Sequence, residues 1–124
     1  MNEVCEMLKK AGTYFIATCE DGQPRVRPFG TAHIYNGKLY IQTGKNKDVS
    51  KQIHANPNVE ICAFDGNDWL RIPWFREARV SMLDAYPELK SMYSPDDGNS
   101  EVWYLRNATA TVYSFTKPPR IIKF

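Results

Sequence analysis

The tightest constraint in this sequence is a two-residue one. Thr31 to Tyr35 and Lys38 to Thr43 are separated only by Asn36-Gly37, a dipeptide that tolerates the positive φ angles of a type I′ turn. Strands joined in this way pair antiparallel. The same signature occurs earlier, where Thr13 to Cys19 (TYFIATC) runs into Asp21-Gly22 and returns through Pro24 to Phe29, predicting a second hairpin. Pro24 and Pro28 cannot donate to a ladder, so the returning strand belongs at a sheet edge or beside a bulge, with Arg25 and Arg27 on one face. Val59 to Phe64 reads as a strand, 65–68 as a turn, and Trp69 to Ile72 as a strand that Pro73 interrupts. Glu101 to Arg106 and Ala108 to Phe115 predict a final hairpin through Asn107, with Pro118-Pro119 in a tail. Many short antiparallel strands predict a mainly β fold, closed or nearly closed into a barrel so that few edges stay exposed.

Helical spacing is confined to short stretches. Val4, Met7 and Leu8 follow Asn2, a good N-cap residue, and stop at Gly12. Val49, Gln52 and Ile53 follow a polar loop and end at Asn56-Pro57. A further helical region begins near Glu77, carrying Ala78, Met82, Leu83, Leu89 and Met92 and broken around Tyr86-Pro87. With 124 residues, the chain is expected to form one domain over 1–124. A net charge of +2 is too small for a nucleic-acid surface. No apolar run approaches the roughly 20 residues that cross a bilayer, and Met1 to Gly12 lacks the pattern of a signal peptide. The expected setting is the cytoplasm, with neither nucleic acid nor membrane as partner. Cys5, Cys19 and Cys62 are odd in number and set among apolar neighbours, which predicts buried free thiols.

Few residues offer chemistry of their own. His33 and His54 stand outside any metal-ligand spacing, and Ser50 and Ser81 lack the glycine pattern of a nucleophile elbow, so neither a metal site nor a hydrolytic triad is expected. The basic residues say more. Arg25 and Arg27 on one strand, and Lys45, Lys47 and Lys51 around a loop-to-helix entry, have the pattern that converges on a phosphate at a helix N-terminus. A solvated basic face has the same pattern. Trp69, Trp74, Trp103, Tyr104 and Tyr113 suit either a barrel core or a flat cofactor slot.

In order along the chain, FIAT (Phe15 to Thr18), Asp21-Gly22, PRVRPFG (Pro24 to Gly30), NGKLYIQTG (Asn36 to Gly44), KDVSKQI (Lys47 to Ile53), NPNVEI (Asn56 to Ile61), WLRI (Trp69 to Ile72), AYPELKSMYS (Ala85 to Ser94) and ATATVYSF (Ala108 to Phe115) resemble the pyridoxamine 5′-phosphate oxidase-like FMN-binding split-barrel family. The likeness is to its short single-domain members, which include nitroimidazole-resistance-type proteins. It implies a split β-barrel homodimer with FMN at the subunit interface. Carried over by position, Arg25, Val26, Arg27 and Pro28 would line the isoalloxazine and ribityl chain, and Thr43, Asn46, Lys47 and Lys51 would hold the phosphate. Trp103 and Tyr104 would close the site from the partner subunit. One departure follows WLRI, where Pro73-Trp74-Phe75-Arg76 leads directly towards Glu77. This predicts a barrel one strand segment short, with Trp74 and Phe75 left for dimer burial or for capping the pocket.

The resemblance further implies an FMN-dependent oxidoreductase acting on a small-molecule substrate or electron donor. The flavin would carry the hydride or electron, and no side chain is demanded as acid or base. Vitamin-specific oxidase activity, which in longer relatives draws on a further C-terminal region, is not what the resemblance to the short members leads one to expect. The competing classes are a non-catalytic module holding flavin, deazaflavin or haem, and a dimer whose cofactor site has decayed.

Overall fold

Two mirror-image turns set the antiparallel frame. Asp21 and Gly22 have φ of 50° and 81°, and Asn36 and Gly37 have φ of 50° and 74°. Only such left-handed pairs match the right-handed twist of the strands they join. The computed structural model describes residues 1–44, 47–56, 58–74, 100–105 and 108–124. In chain order the elements are α1 (Asn2–Ala11), β1 (Tyr14–Glu20), β2 (Gln23–Phe29), β3 (His33–Tyr35), β4 (Lys38–Gly44), α2 (Asp48–Ala55), β5 (Val59–Phe64), β6 (Asp68–Trp74), β7 (Ser100–Leu105), β8 (Thr109–Ser114) and β9 (Arg120–Lys123). Six strands form one sheet in the order β2-β1-β5-β6-β8-β9, and β3-β4-β7 form a second. This is the antiparallel split β-barrel that the strand pattern and the resemblance predict.

Period-two alternation sends one side of each strand into the space between the sheets. Ile16, Ile61, Ala63, Leu70, Ile72, Ala110 and Val112 from the large sheet meet Leu39, Ile41, Trp103 and Leu105 from the small one in a single core. α1 adds Val4, Cys5 and Leu8, and α2 adds Val49 and Ile53. Gly12 closes α1 as predicted, while Asn2 is the helix's first residue rather than its cap, which is Met1.

Three sequence expectations change. Pro73 does not interrupt β6, which runs to Trp74 with Pro73 opposite Glu60 and Trp74 opposite Val59. The neighbour on its other side, β8, pairs only from Asp68 to Arg71, so a missing N–H beyond that point breaks no bond to β8. The strand is therefore seven residues long and continues two residues past Ile72. The expected β7–β8 hairpin does not form either. β7 pairs with β4, setting Trp103 opposite Ile41 and Leu105 opposite Leu39, while β8 pairs with β6 and β9. Finally, the residues after Pro119 are not a tail. β9 extends the large sheet, and Ala108 and Phe124 exchange backbone hydrogen bonds of 2.7 and 3.0 Å. The expected helical region from Glu77 onwards and the side chains of Trp74 and Phe75 lie outside the described residues.

The β5–β6 turn is held by one carboxylate. Asp65 Oδ1 accepts the backbone N–H groups of Asn67 and Asp68, both at 2.9 Å, and Lys10 of α1 stands 3.6 Å away. The N–H groups of Asp68 and Asn67, helped by Lys10, hold this carboxyl below its ordinary pKa against the opposing effect of burial.

Two outcomes follow from the packing. Trp103 is fully buried in the core, so Trp103→Ala should cost about 3–5 kcal/mol of stability in a denaturant titration. Because the folded pKa of Asp65 is depressed, its contribution is complete above the unfolded carboxyl pKa of about 3.9 and is lost as pH falls through the lower folded value. Asp65→Asn should therefore be less stable than wild type at about pH 7 and match it at about pH 2, measured by urea unfolding at both values.

Candidate cofactor cleft

β2 is an edge strand, with β1 as its ladder partner. Its arginines stand opposite inward-facing residues of β1, Arg25 opposite Thr18 and Arg27 opposite Ile16. They therefore share the face of the sheet on which α2 packs. Val26 and Pro28 point to the other face, where Val26 is 67% exposed. A cleft of about 790 Å³ runs between β2 and the start of α2, within the range of about 300–1,000 Å³ usual for small-molecule sites. One wall is Arg25 to Pro28, the other is Lys47, Asp48, Val49 and Gln52, and Glu20 lies at their junction. Lys47 is the N-cap of α2, extended at φ −74° and ψ 149° with no side-chain cap bond, so the helix presents its positive end here.

The walls are joined by a polar relay. Arg27 Nη1 donates to the Ile16 carbonyl at 3.1 Å and to Thr18 Oγ1 at 2.9 Å, and Arg27 Nη2 donates to Gln52 Oε1. The Thr18 hydroxyl donates to the same Gln52 oxygen at 2.6 Å, and Gln52 Nε2 donates to Glu20 Oε2 at 3.0 Å. That carboxylate also lies 3.6 Å from Arg25 Nε. Thr18 and Gln52 are 3% and 7% exposed. Burial lowers the Arg27 pKa, Asp48 opposes the shift, and Arg25 adds to it. The guanidinium thus sits in the wall as a partly desolvated cation whose hydrogen bonds run inward.

Of the residues singled out in the sequence, Arg25, Val26, Arg27, Pro28 and Lys47 come together in this cleft. Lys51 lines an adjoining cleft of about 550 Å³ on the far side of Glu20, Asp48 and Gln52, with Cys19, Asp21 and Asn56. Thr43 lies at the end of β4, its backbone opposite Glu101. Asn46 and Lys45 are outside the described residues. Trp103 and Tyr104 are consecutive on β7 and so point to opposite sides of the sheet. Trp103 fills the core, and Tyr104 meets Tyr40 at 5.9 Å between ring centroids, with Lys38 Nζ 4.9 Å from its ring. Trp69 stacks on Tyr113 at 5.4 Å. Thr18 and Gln52 escaped the sequence reading, although each had a signal. Gln52 is an amide on the stripe that carries Val49 and Ile53, and Thr18 continues the inward series of Tyr14 and Ile16.

Among the described residues no group of three His, Cys, Asp or Glu side chains is placed to hold a metal ion, and no helix is long and apolar enough to cross a membrane. Cys5, Cys19 and Cys62 are free thiols, but only Cys5 is buried as expected, Cys19 and Cys62 being half-buried. Burial pushes the Cys5 thiol pKa up, opposed by Lys9.

Fold and cleft together define an antiparallel split-barrel protein with a groove along an edge strand that gathers Arg25, Arg27 and Lys47. The family described as pyridoxamine 5′-phosphate oxidase matches residues 1–114, and the chain belongs to it. A NimC/NimA family protein from Clostridium acetobutylicum is 37% identical and superposes with a TM-score of 0.85 over 100% of this chain and 92% of that one. Two more distant structures share the fold. An FMN-binding, pyridoxamine 5′-phosphate oxidase-related protein from Nostoc punctiforme is 13% identical, with a TM-score of 0.62 over 99% of this chain and 95% of that one. An F420 reductase is 19% identical, with a TM-score of 0.61 over 82% and 90%. No curated protein matches the chain.

The relay makes the Thr18 hydroxyl indispensable, since it both accepts from Arg27 and donates to Gln52. Thr18→Val keeps the shape and leaves buried polar groups short of partners, so it should cost about 1–3 kcal/mol in urea unfolding.

Proposed function

We propose that this chain, as a single 124-residue domain, binds FMN in the β2–α2 cleft as a cytoplasmic homodimer and works as an FMN-dependent oxidoreductase on a small-molecule substrate or electron donor. The observation that carries this reading is the meeting of the edge-strand arginines with the start of α2 at Lys47 in one cleft. The residues fit the group. Lys47 and the first-turn N–H groups suit a phosphate, the free edge of β2 along Val26 and Pro28 lines the cleft where a planar ring would lie, and Arg25 supplies positive charge beside it. Bound FMN would supply hydride or electron transfer, and the chain's own residues would bind, orient and charge-balance it. Thr43, Asn46 and Lys51 complete the proposed phosphate contacts, and Trp103 and Tyr104 remain the candidates on the partner side, Tyr104 having the exposure that Trp103 lacks.

The dimer part of the reading rests on exposed apolar surface. Phe15, Val26 and Phe64 are 46%, 67% and 53% exposed. The register sets Phe15 opposite Pro28 and Cys62, and Val26 opposite Ala17, which places these residues on the outer face of the large sheet. Apolar surface gathered on one face of a sheet suits burial against a second copy.

The deciding measurement is an FMN titration followed by absorption and fluorescence, with light scattering for mass. Wild type should bind FMN at twice the chain mass and reduce it faster when a reduced nicotinamide is added. Lys47→Ala should weaken binding by about tenfold or more, as expected for a lost charge-assisted phosphate contact. A monomer, or a protein that stays colourless in excess FMN, would sink the reading. Bound FMN that no donor reduces would leave a binding module.

A further inference from the structure

The two arginines of β2 lie on one face, two positions apart, yet their surroundings differ. Arg25 is exposed in the cleft beside Glu20. Arg27 also lines the cleft but is half-buried, and its guanidinium bonds Ile16, Thr18 and Gln52. We propose that Arg27 is a positioning residue, not a ligand contact: through Gln52 and Thr18 it ties the edge strand to α2, fixing the spacing of the two cleft walls and leaving Arg25 and Lys47 to meet the ligand. This inference rests on the FMN reading for its ligand, but not for the tie itself.

The physical case begins with the strand. β2 is laddered to β1, so its position relative to α2 is set by side chains reaching across the inner face. Arg27 makes that reach, and its planar fork spans two acceptors in a way a lysine does not. Gln52 is held in one orientation, because its Nε2 donates to Glu20 while its Oε1 accepts from both Thr18 and Arg27. A flipped amide would set donors against donors. Gln52 sits on the helix whose N-cap is Lys47, so moving the tie moves the cation at the mouth of the cleft. A ligand that touches both walls feels the tie without touching Arg27.

The test compares Arg27→Met, Gln52→Leu, the double variant and Lys47→Met, using FMN and riboflavin, which differ by the phosphate. Positioning requires that Arg27→Met and Gln52→Leu each weaken both flavins by a similar factor, about tenfold. It also requires that the FMN-to-riboflavin affinity ratio stay within about twofold of wild type and that the double variant be little worse than either single one. Lys47→Met should instead lower the ratio. A ratio that collapses in Arg27→Met but not in Gln52→Leu makes Arg27 a phosphate contact and overturns the proposal, as does flavin binding unchanged in both. Should wild type bind neither flavin, the proposed function falls and hydrogen exchange decides the tie. Faster exchange across α2 in Arg27→Met and Gln52→Leu but not in Lys47→Met upholds it, and equal protection in all three overturns it.

Discussion

Everything about the cleft depends on how a strand laddered on one side is held still. β2 carries two prolines and forms one wall of the groove, and the ladder to β1 fixes its register but leaves rotation about that ladder to be controlled by side chains. The Arg27–Gln52–Thr18 relay supplies that control. Thr18 and Gln52 are buried and Arg27 is half-buried, and a buried polar group without a partner costs about 1–3 kcal/mol. The relay therefore acts less as a source of net stability than as a penalty on every arrangement in which the strand and helix are misaligned. Apolar contacts between α2 and β1 would tolerate small slides; a shared amide oxygen does not.

The same division between tolerant and exacting contacts runs through the barrel. The core between the two sheets is broad and built from aliphatic side chains around Trp103, which fixes the sheets face to face. Polar ties then fix how turns and connections sit against that core: Asp65 with Lys10 between the β5–β6 turn and α1, and the Thr31 hydroxyl accepting the Gln42 N–H at 3.0 Å beside β4.

This also explains what the sequence disclosed. Asn36-Gly37 and Asp21-Gly22 name their own turns, because the φ angles are properties of those residues. The edge position of β2 followed from Pro24 and Pro28 for the same local reason. Strand partnership is not local: β7 precedes β8 in the chain, yet it pairs with β4 because Trp103 and Leu105 belong opposite Ile41 and Leu39. Pro73 leaves β6 unbroken because the rule against proline in a strand concerns the side that has a neighbour, and the pairing of β6 with β8 ends at Arg71. The cations of the cleft were legible as a pattern. Gln52 was not, because an amide on an apolar helical stripe has no meaning until the arginine it faces is known.

The charges in the cleft can be ordered by how much water each retains. Arg25 and Arg27 carry like charge on one short strand, an arrangement that raises the energy of both. Glu20 lies beside Arg25 and Asp48 lowers the cost to Arg27, so the protein balances its own arginines before any guest arrives. Of the three described cations in the groove, the desolvated one has its hydrogen bonds turned inward, and the two hydrated ones, Arg25 and Lys47, stand at the surface. An incoming anion gains most from a cation that can turn towards it without abandoning buried acceptors. Recognition therefore falls to the solvated charges and alignment to the fixed, partly desolvated one, a separation that a count of positive residues along β2 and α2 does not reveal.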